Sequence, residues 1–90
     1  MNMKCLIAYD ISDDRRLRRV AKVLKRYGIR IEKSVFTCDL EAAKIVKLQQ
    51  ELYECSARED TILLFQLPSN IRYIPIRGML ETQTAQEIYI

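Results

Sequence analysis

The chain has 90 residues, 49% of them hydrophobic and 30% charged, with three cysteines, two glycines, two prolines and no histidine. That length makes one domain, 1–90, with a modest core, and the composition is that of a folded chain rather than a disordered one. The lack of histidine excludes imidazole acid–base chemistry and Cys–His or Ser–His nucleophiles, and it argues against a zinc site.

No apolar run approaches the roughly 18 residues of a membrane span. The N-terminus has one lysine and a short apolar stretch, which does not read as a signal peptide. A cytoplasmic protein without a membrane partner is expected. Cys5, Cys38 and Cys55 lack CxxC spacing and sit in apolar patterns, so they are expected as small core residues. The net charge of +3 is unevenly spread. Residues 15–33 hold nine Lys/Arg against the single acid Glu32, whereas the rest of the chain holds six basic and eleven acidic residues. So segregated a basic stretch points to a polyanion partner, although a solvated helix face has the same look.

Taken in order, residues 3–9 alternate as a strand. Met3, Cys5, Ile7 and Tyr9 share one face, and Lys4, Leu6, Ala8 and Asp10 the other. Both faces are largely apolar, which marks a strand covered on both sides. Residues 13–27 read as a helix with Ser12 as N-cap and Asp13 and Asp14 at the positive end of its dipole. Leu17, Val20, Ala21, Leu24 and Tyr27 form its apolar stripe, and Gly28 reads as the stop. Residues 29–32 and 34–39 read as two strands joined near Lys33 by a tight hairpin without glycine. A second helix covers 40–56, with Ile45, Leu48, Leu52 and Cys55 on one stripe. Residues 61–67 form a strand apolar on both faces. Residues 71–76 make an edge strand at best, because Pro75 cannot donate to a ladder. Residues 77–85 read as a polar linker and 86–90 as an extended tail.

This order is the ferredoxin-like βαββαβ plan, an α+β sandwich with an extra C-terminal strand. Two helices cover only one face of such a sheet, yet Leu6, Ala8 and both faces of 61–67 need cover. A homodimer supplies it, with the segment 69–90 exchanged between copies, and it would put two Asp10 side chains on the shared face.

The chemistry that remains is carboxylate plus metal. Mg²⁺ takes oxygen ligands and keeps several waters, so one or two carboxylates with a phosphate suffice. Asp10, delivered to the end of a buried strand, is the candidate; a strand-end acid that helps cap the helix is the plainer alternative. Arg18, Arg19 and Arg30 are the candidate phosphate contacts, with Arg15 and Arg16 beside them on the basic helix. Tyr9 and Phe36 read either as core or as stacking residues.

The run Tyr9-Asp10-Ile11-Ser12-Asp13-Asp14-Arg15-Arg16-Leu17-Arg18-Arg19-Val20-Ala21-Lys22, then Tyr27-Gly28, then Ser34-Val35-Phe36, closely resembles CRISPR-associated protein 2. The specific match covers residues 3–40, and the second helix and the strand at 61–67 fit the remainder. The resemblance implies a ferredoxin-like homodimer with exchanged C-terminal strands. It implies that Asp10 is the metal-binding catalytic aspartate facing its symmetry mate, with Mg²⁺-dependent cleavage of RNA or double-stranded DNA. It also implies a place in spacer acquisition, bridging dimers of the integrase, CRISPR-associated protein 1. Tyr9, Arg19, Arg30 and Phe36 match residues that the family keeps around the site, and Ser34 of the matched Ser-Val-Phe stretch is expected to support it. The chain departs at Glu32, where many members carry Gln. Two alternatives are a toxin-type ribonuclease resembling virulence-associated protein D and a non-catalytic nucleic-acid-binding module. The arginine helix and the Ser-Val-Phe stretch argue against the first. The second would call for paired exposed aromatics on neighbouring strands.

Overall fold

The computed structural model describes residues 1–72 and 74–78. Its elements are β1 (Asn2–Asp10), α1 (Asp14–Lys25), β2 (Gly28–Glu32), β3 (Val35–Glu41), α2 (Ala42–Cys55) and β4 (Thr61–Leu67). This is the expected alternation of strands and helices. The four strands form one antiparallel sheet in the order β2-β3-β1-β4.

Register sorts every strand residue onto one of two faces. Cys5 lies opposite Cys38 on β3 and Gln66 on β4, and Ile7 lies opposite Phe36 and Leu64. This face carries both helices. Val20 and Leu24 of α1 and Ile45, Leu48 and Leu52 of α2 close over Cys5, Ile7, Tyr9, Phe36 and Cys38. The core therefore lies between the sheet and the helices. Cys5 and Cys38 are buried free thiols there, and burial pushes the Cys38 thiol up to about 11. Cys55 is half-buried against the same cluster.

The other face is built from Lys4, Leu6, Ala8 and Asp10 of β1, Val35, Thr37 and Asp39 of β3, and Leu63, Phe65 and Leu67 of β4, with its apolar residues between the Lys4–Asp39 pair at one end and Asp10 at the other. Both helices lie behind it. Leu63 is 52% exposed and Phe65 47% exposed, and Ile29 of β2, opposite Thr37, is 49% exposed. A sheet face this apolar is costly to leave in water, at about 25 cal/mol per Å².

Three local expectations are corrected. The N-cap of α1 is Asp13, not Ser12: Asp13 is extended, and its carboxylate accepts the Arg16 N–H at 2.9 Å. Ile11 is buried, and the chain enters the helix only after Asp13, at Asp14. Gly28 does not stop α1 but opens β2. The helix closes at Arg26 and Tyr27, whose N–H groups donate to Val23 and Leu24 carbonyls at 3.0 Å each. What Gly28 provides is close approach, since a Cβ there would lie 2.1 Å from the Thr37 carbonyl oxygen and 2.6 Å from Cys38 Sγ. At 71–76 the described residues form no strand beyond an isolated bridge at Arg72. Tyr73 and 79–90, with most of the expected linker and the whole tail, lie outside the described residues.

The hairpin near Lys33 is present without glycine. A register shift between Arg30 and Glu32 bulges β2. Tyr9 then ties the turn down from the core: its hydroxyl donates to the Lys33 carbonyl at 3.0 Å and its N–H donates to the Ser34 carbonyl at 3.1 Å.

Gly28→Ala forces a methyl group against a backbone carbonyl. It is expected to lower stability by about 2 kcal/mol or more, within the range for overpacking. Urea unfolding at fixed chain concentration checks this, and an unchanged midpoint would contradict the close β2–β3 approach.

Candidate active site and nucleic-acid surface

Asp10 is the last residue of β1 and lies opposite Thr61, the first residue of β4. Strand alternation puts its side chain on the uncovered face, with Leu6 and Ala8. It is exposed and makes no hydrogen bond or ion pair among the described residues. It is therefore not spent on capping α1, a role that Asp13 fills.

The residues grouped with Asp10 on sequence do not surround it. Tyr9 and Phe36 are buried on the helix-covered face, with ring centroids 6.3 Å apart. They are core residues here, not a stacking surface. Arg30, opposite Phe36, lays its guanidinium over that ring at 5.3 Å, and its Nε is buried without a partner among the described residues. Ser34 is half-buried and holds the hairpin turn through its carbonyl.

The arginines of α1 divide into two kinds. Arg15, Arg18 and Arg19, with Lys22 and Lys25, are exposed and carry no ion pair among the described residues. At 100° per residue they fall within an arc of about 120°, opposite Val20, Ala21 and Leu24. They make a cationic ridge about 15 Å long. Arg16 points elsewhere. Its Nε and Nη2 grip the Asp60 carboxylate at 2.8 and 3.1 Å, and Glu59 lies 3.4 Å and Asp13 3.9 Å away. Its fork is occupied by protein carboxylates.

Asp60 is the residue that sequence reasoning missed. Its carboxylate is 2% exposed and also accepts the Ala57 N–H at 2.8 Å. The bonds from Arg16 hold its carboxyl below the usual aspartate range. The available signal was the position of Arg16 on the helical wheel, on the flank of the apolar stripe, where a lone cation needs a partner. Glu51 does the same at the other end of α1. It accepts from the Tyr27 hydroxyl and, at 2.6 Å, from Arg26, and these bonds lower its own carboxyl.

No group of three or more potential metal ligands occurs among the described residues. One carboxylate with open space around it suits Mg²⁺ only if a second oxygen donor comes from another molecule. A cavity of about 830 Å³ lies between α2 and β4, lined by Leu52, Tyr53, Ile62 and Leu64 among others. It is on the helix side, away from the Asp10 side chain.

The family model described as CRISPR associated protein Cas2 matches residues 3–72. A CRISPR-associated endoribonuclease Cas2 of Chloroflexus aurantiacus is 40% identical over 89 residues, covering 94% of this chain and 96% of that protein. One of Chlorobaculum tepidum is 35% identical over 91 residues, covering 94% and 90%. The crystal structure of Streptococcus pyogenes Cas2 at pH 6.5 aligns with a TM-score of 0.71 at 32% identity, covering 76% of this chain and 89% of that one.

The lowered carboxyl of Asp60 gives a signed pH dependence. Its stabilising effect is complete above the ordinary aspartate value of 3.8 and is lost as pH falls through the lower folded value. Asp60→Asn is therefore expected to be less stable than the parent at neutral pH, with the gap closing as the solution becomes strongly acidic. Denaturation curves at a series of pH values check this, and a gap that widens in acid would contradict it.

Proposed function

The chain belongs to the CRISPR-associated protein Cas2 family, and on that footing we propose that it is a homodimeric, metal-dependent phosphodiester endonuclease of CRISPR spacer acquisition. The observation that carries this reading is the placement of Asp10: an exposed carboxylate, unpaired among the described residues, at the end of a central strand, on the sheet face that neither helix covers and that carries Leu6, Leu63, Phe65 and Leu67. Burying that face against a second copy removes Leu6, Leu63, Phe65 and Leu67 from water. The four-stranded sheet with both helices behind it is, in this reading, the ferredoxin-like sandwich, and the chain beyond Asn70 is the segment exchanged between copies.

A symmetric pairing through the open face brings two Asp10 carboxylates to one interface. Together they would hold a Mg²⁺ ion, which takes few protein oxygens and keeps waters for a phosphate to replace. When bound, such an ion polarises a phosphoryl oxygen and makes its water a better nucleophile. The chain's own part is to fix the carboxylates and to exclude bulk water with the apolar residues around them.

The ridge of Arg15, Arg18, Arg19, Lys22 and Lys25 is a separate surface. Its length of about 15 Å corresponds to about four base-pair steps along a duplex axis. The helix lies behind the sheet and Asp10 in front, so the ridge serves to hold a duplex rather than to cradle one scissile phosphate. Such a surface suits bridging, with the integrase CRISPR-associated protein 1 as partner and DNA as the shared ligand. Whether the cleaved strand is RNA or DNA is set by what reaches Asp10. The family's description as endoribonucleases in its curated relatives favours RNA.

Asp10→Asn is expected to abolish Mg²⁺-stimulated cleavage and to leave duplex affinity within about two-fold, because the carboxylate is not on the phosphate-binding ridge. Arg18→Ala and Arg19→Ala are each expected to lower the slope of log affinity against log salt by about 0.9. Cleavage that survives Asp10→Asn would defeat the catalytic assignment, and unchanged slopes would defeat the ridge. In sedimentation the parent is expected to run as a dimer at micromolar concentration, and Leu63→Asp or Phe65→Asp to shift it toward monomer. A monomeric parent would contradict the paired site.

A further inference from the structure

The bond between Arg16 and Asp60 joins the two chain segments that flank Asp10. Asp10 and Thr61 form the terminal rung of the β1–β4 ladder. End rungs open readily unless something beyond them holds the strands together. Asp60 is the residue just before Thr61, and it grips Arg16 through two bonds while also holding the Ala57 N–H. On the other side, Ile11 is buried and the Asp13 carboxylate accepts the Arg16 N–H. The path from Asp10 across to Thr61, to Asp60, to Arg16, to Asp13 and back along three residues is thus a closed ring. It is made of a strand pairing, a peptide bond, a bidentate ion pair, a cap bond and a short piece of chain.

We propose that Arg16 and Asp60 are positioning residues for Asp10: their ion pair clamps the end of β1 to the start of β4, fixes the carboxylate, and takes no part in holding nucleic acid. The inference rests on the reading of Asp10 as the reactive carboxylate. Arg16 sits within the basic run and looks like its neighbours in sequence, but its Nε and Nη2 bond Asp60 and its charge is met by three carboxylates, Asp60, Glu59 and Asp13. Lysine cannot replace it, because only the planar fork engages both Asp60 oxygens.

The test compares Arg16→Ala, Arg16→Lys and Asp60→Asn with the parent and with Arg26→Ala. The last breaks the comparable ion pair to Glu51, at the far end of α1 from Asp10. In the first three, kcat for Mg²⁺-stimulated cleavage is expected to fall about 10- to 100-fold with KM within about two-fold, the cost of a carboxylate displaced by about an ångström. Arg26→Ala is expected to lose stability and keep kcat. Amide hydrogen exchange over residues 10–11 and 61–62 is expected to speed up about ten-fold or more in the first three variants, while 64–66 stay protected. The salt slope of duplex binding by Arg16→Ala is expected to equal the parent's, unlike the loss of about 0.9 for a phosphate contact. Unchanged exchange at 10–11 and 61–62, or a slope reduced as in Arg18→Ala, would overturn the proposal. If the parent shows no Mg²⁺-stimulated cleavage, the reading of Asp10 falls, and exchange and salt slope still decide whether Arg16 clamps or binds. Asp60→Asn and Arg16→Lys keep the comparison available if Arg16→Ala does not fold.

Discussion

The alternation of β1 is the constraint on which the rest of the structure depends. Its odd-numbered residues, Cys5, Ile7 and Tyr9, are buried under two helices. Its even-numbered ones, Leu6, Ala8 and Asp10, must then face the other way. Pairing with β3 on one side and β4 on the other extends this division across the sheet. A single strand thus determines that Asp10 lies on the face away from both helices, in line with Leu6 and Ala8. It also determines that α1, which follows Asp10 at once in the chain, lies behind the sheet. The carboxylate and the arginines are neighbours in sequence and are set apart by the fold.

Charge is divided on α1 by the same logic. Arg16 falls on the flank of the apolar stripe and Arg26 at the C-terminal cap of the helix, where Asp60 and Glu51 pair with them and tie α1 to the loop before β4 and to α2. The remaining cations point outward and stay unpaired among the described residues. A basic count alone therefore overstates the nucleic-acid surface: nine Lys/Arg occur between residues 15 and 33, and the ridge uses five of them. Arg30 belongs to neither group, with its guanidinium over Phe36.

Much of this was legible in the sequence, because periodicity reports local burial. The element order, the span 61–67, the apolar stripes of both helices and the two-sided apolarity of β1 follow from residue spacing. What was not legible depends on contacts between distant residues. Ser12 and Asp13 are equally good caps by type, and only the structure shows that Asp13 takes the Arg16 N–H. Gly28 follows a helix and resembles a stop, but its reason is the Thr37 carbonyl nine residues away. Asp60 and Arg16 are separated by 44 residues. Tyr9 and Phe36 are aromatic residues beside a candidate site, and only the register with β3 shows that they serve the core and the hairpin turn.

In the proposed dimer one chain holds half of a reactive site and the open sheet face completes it. Co-refolded mixtures of parent and Asp10→Asn chains test this most directly, by Mg²⁺-stimulated cleavage measured against the fraction of parent chain. Two required carboxylates predict activity falling as the square of that fraction, since only dimers of two parent chains act. A linear fall would mean that each Asp10 acts alone, and would contradict the account.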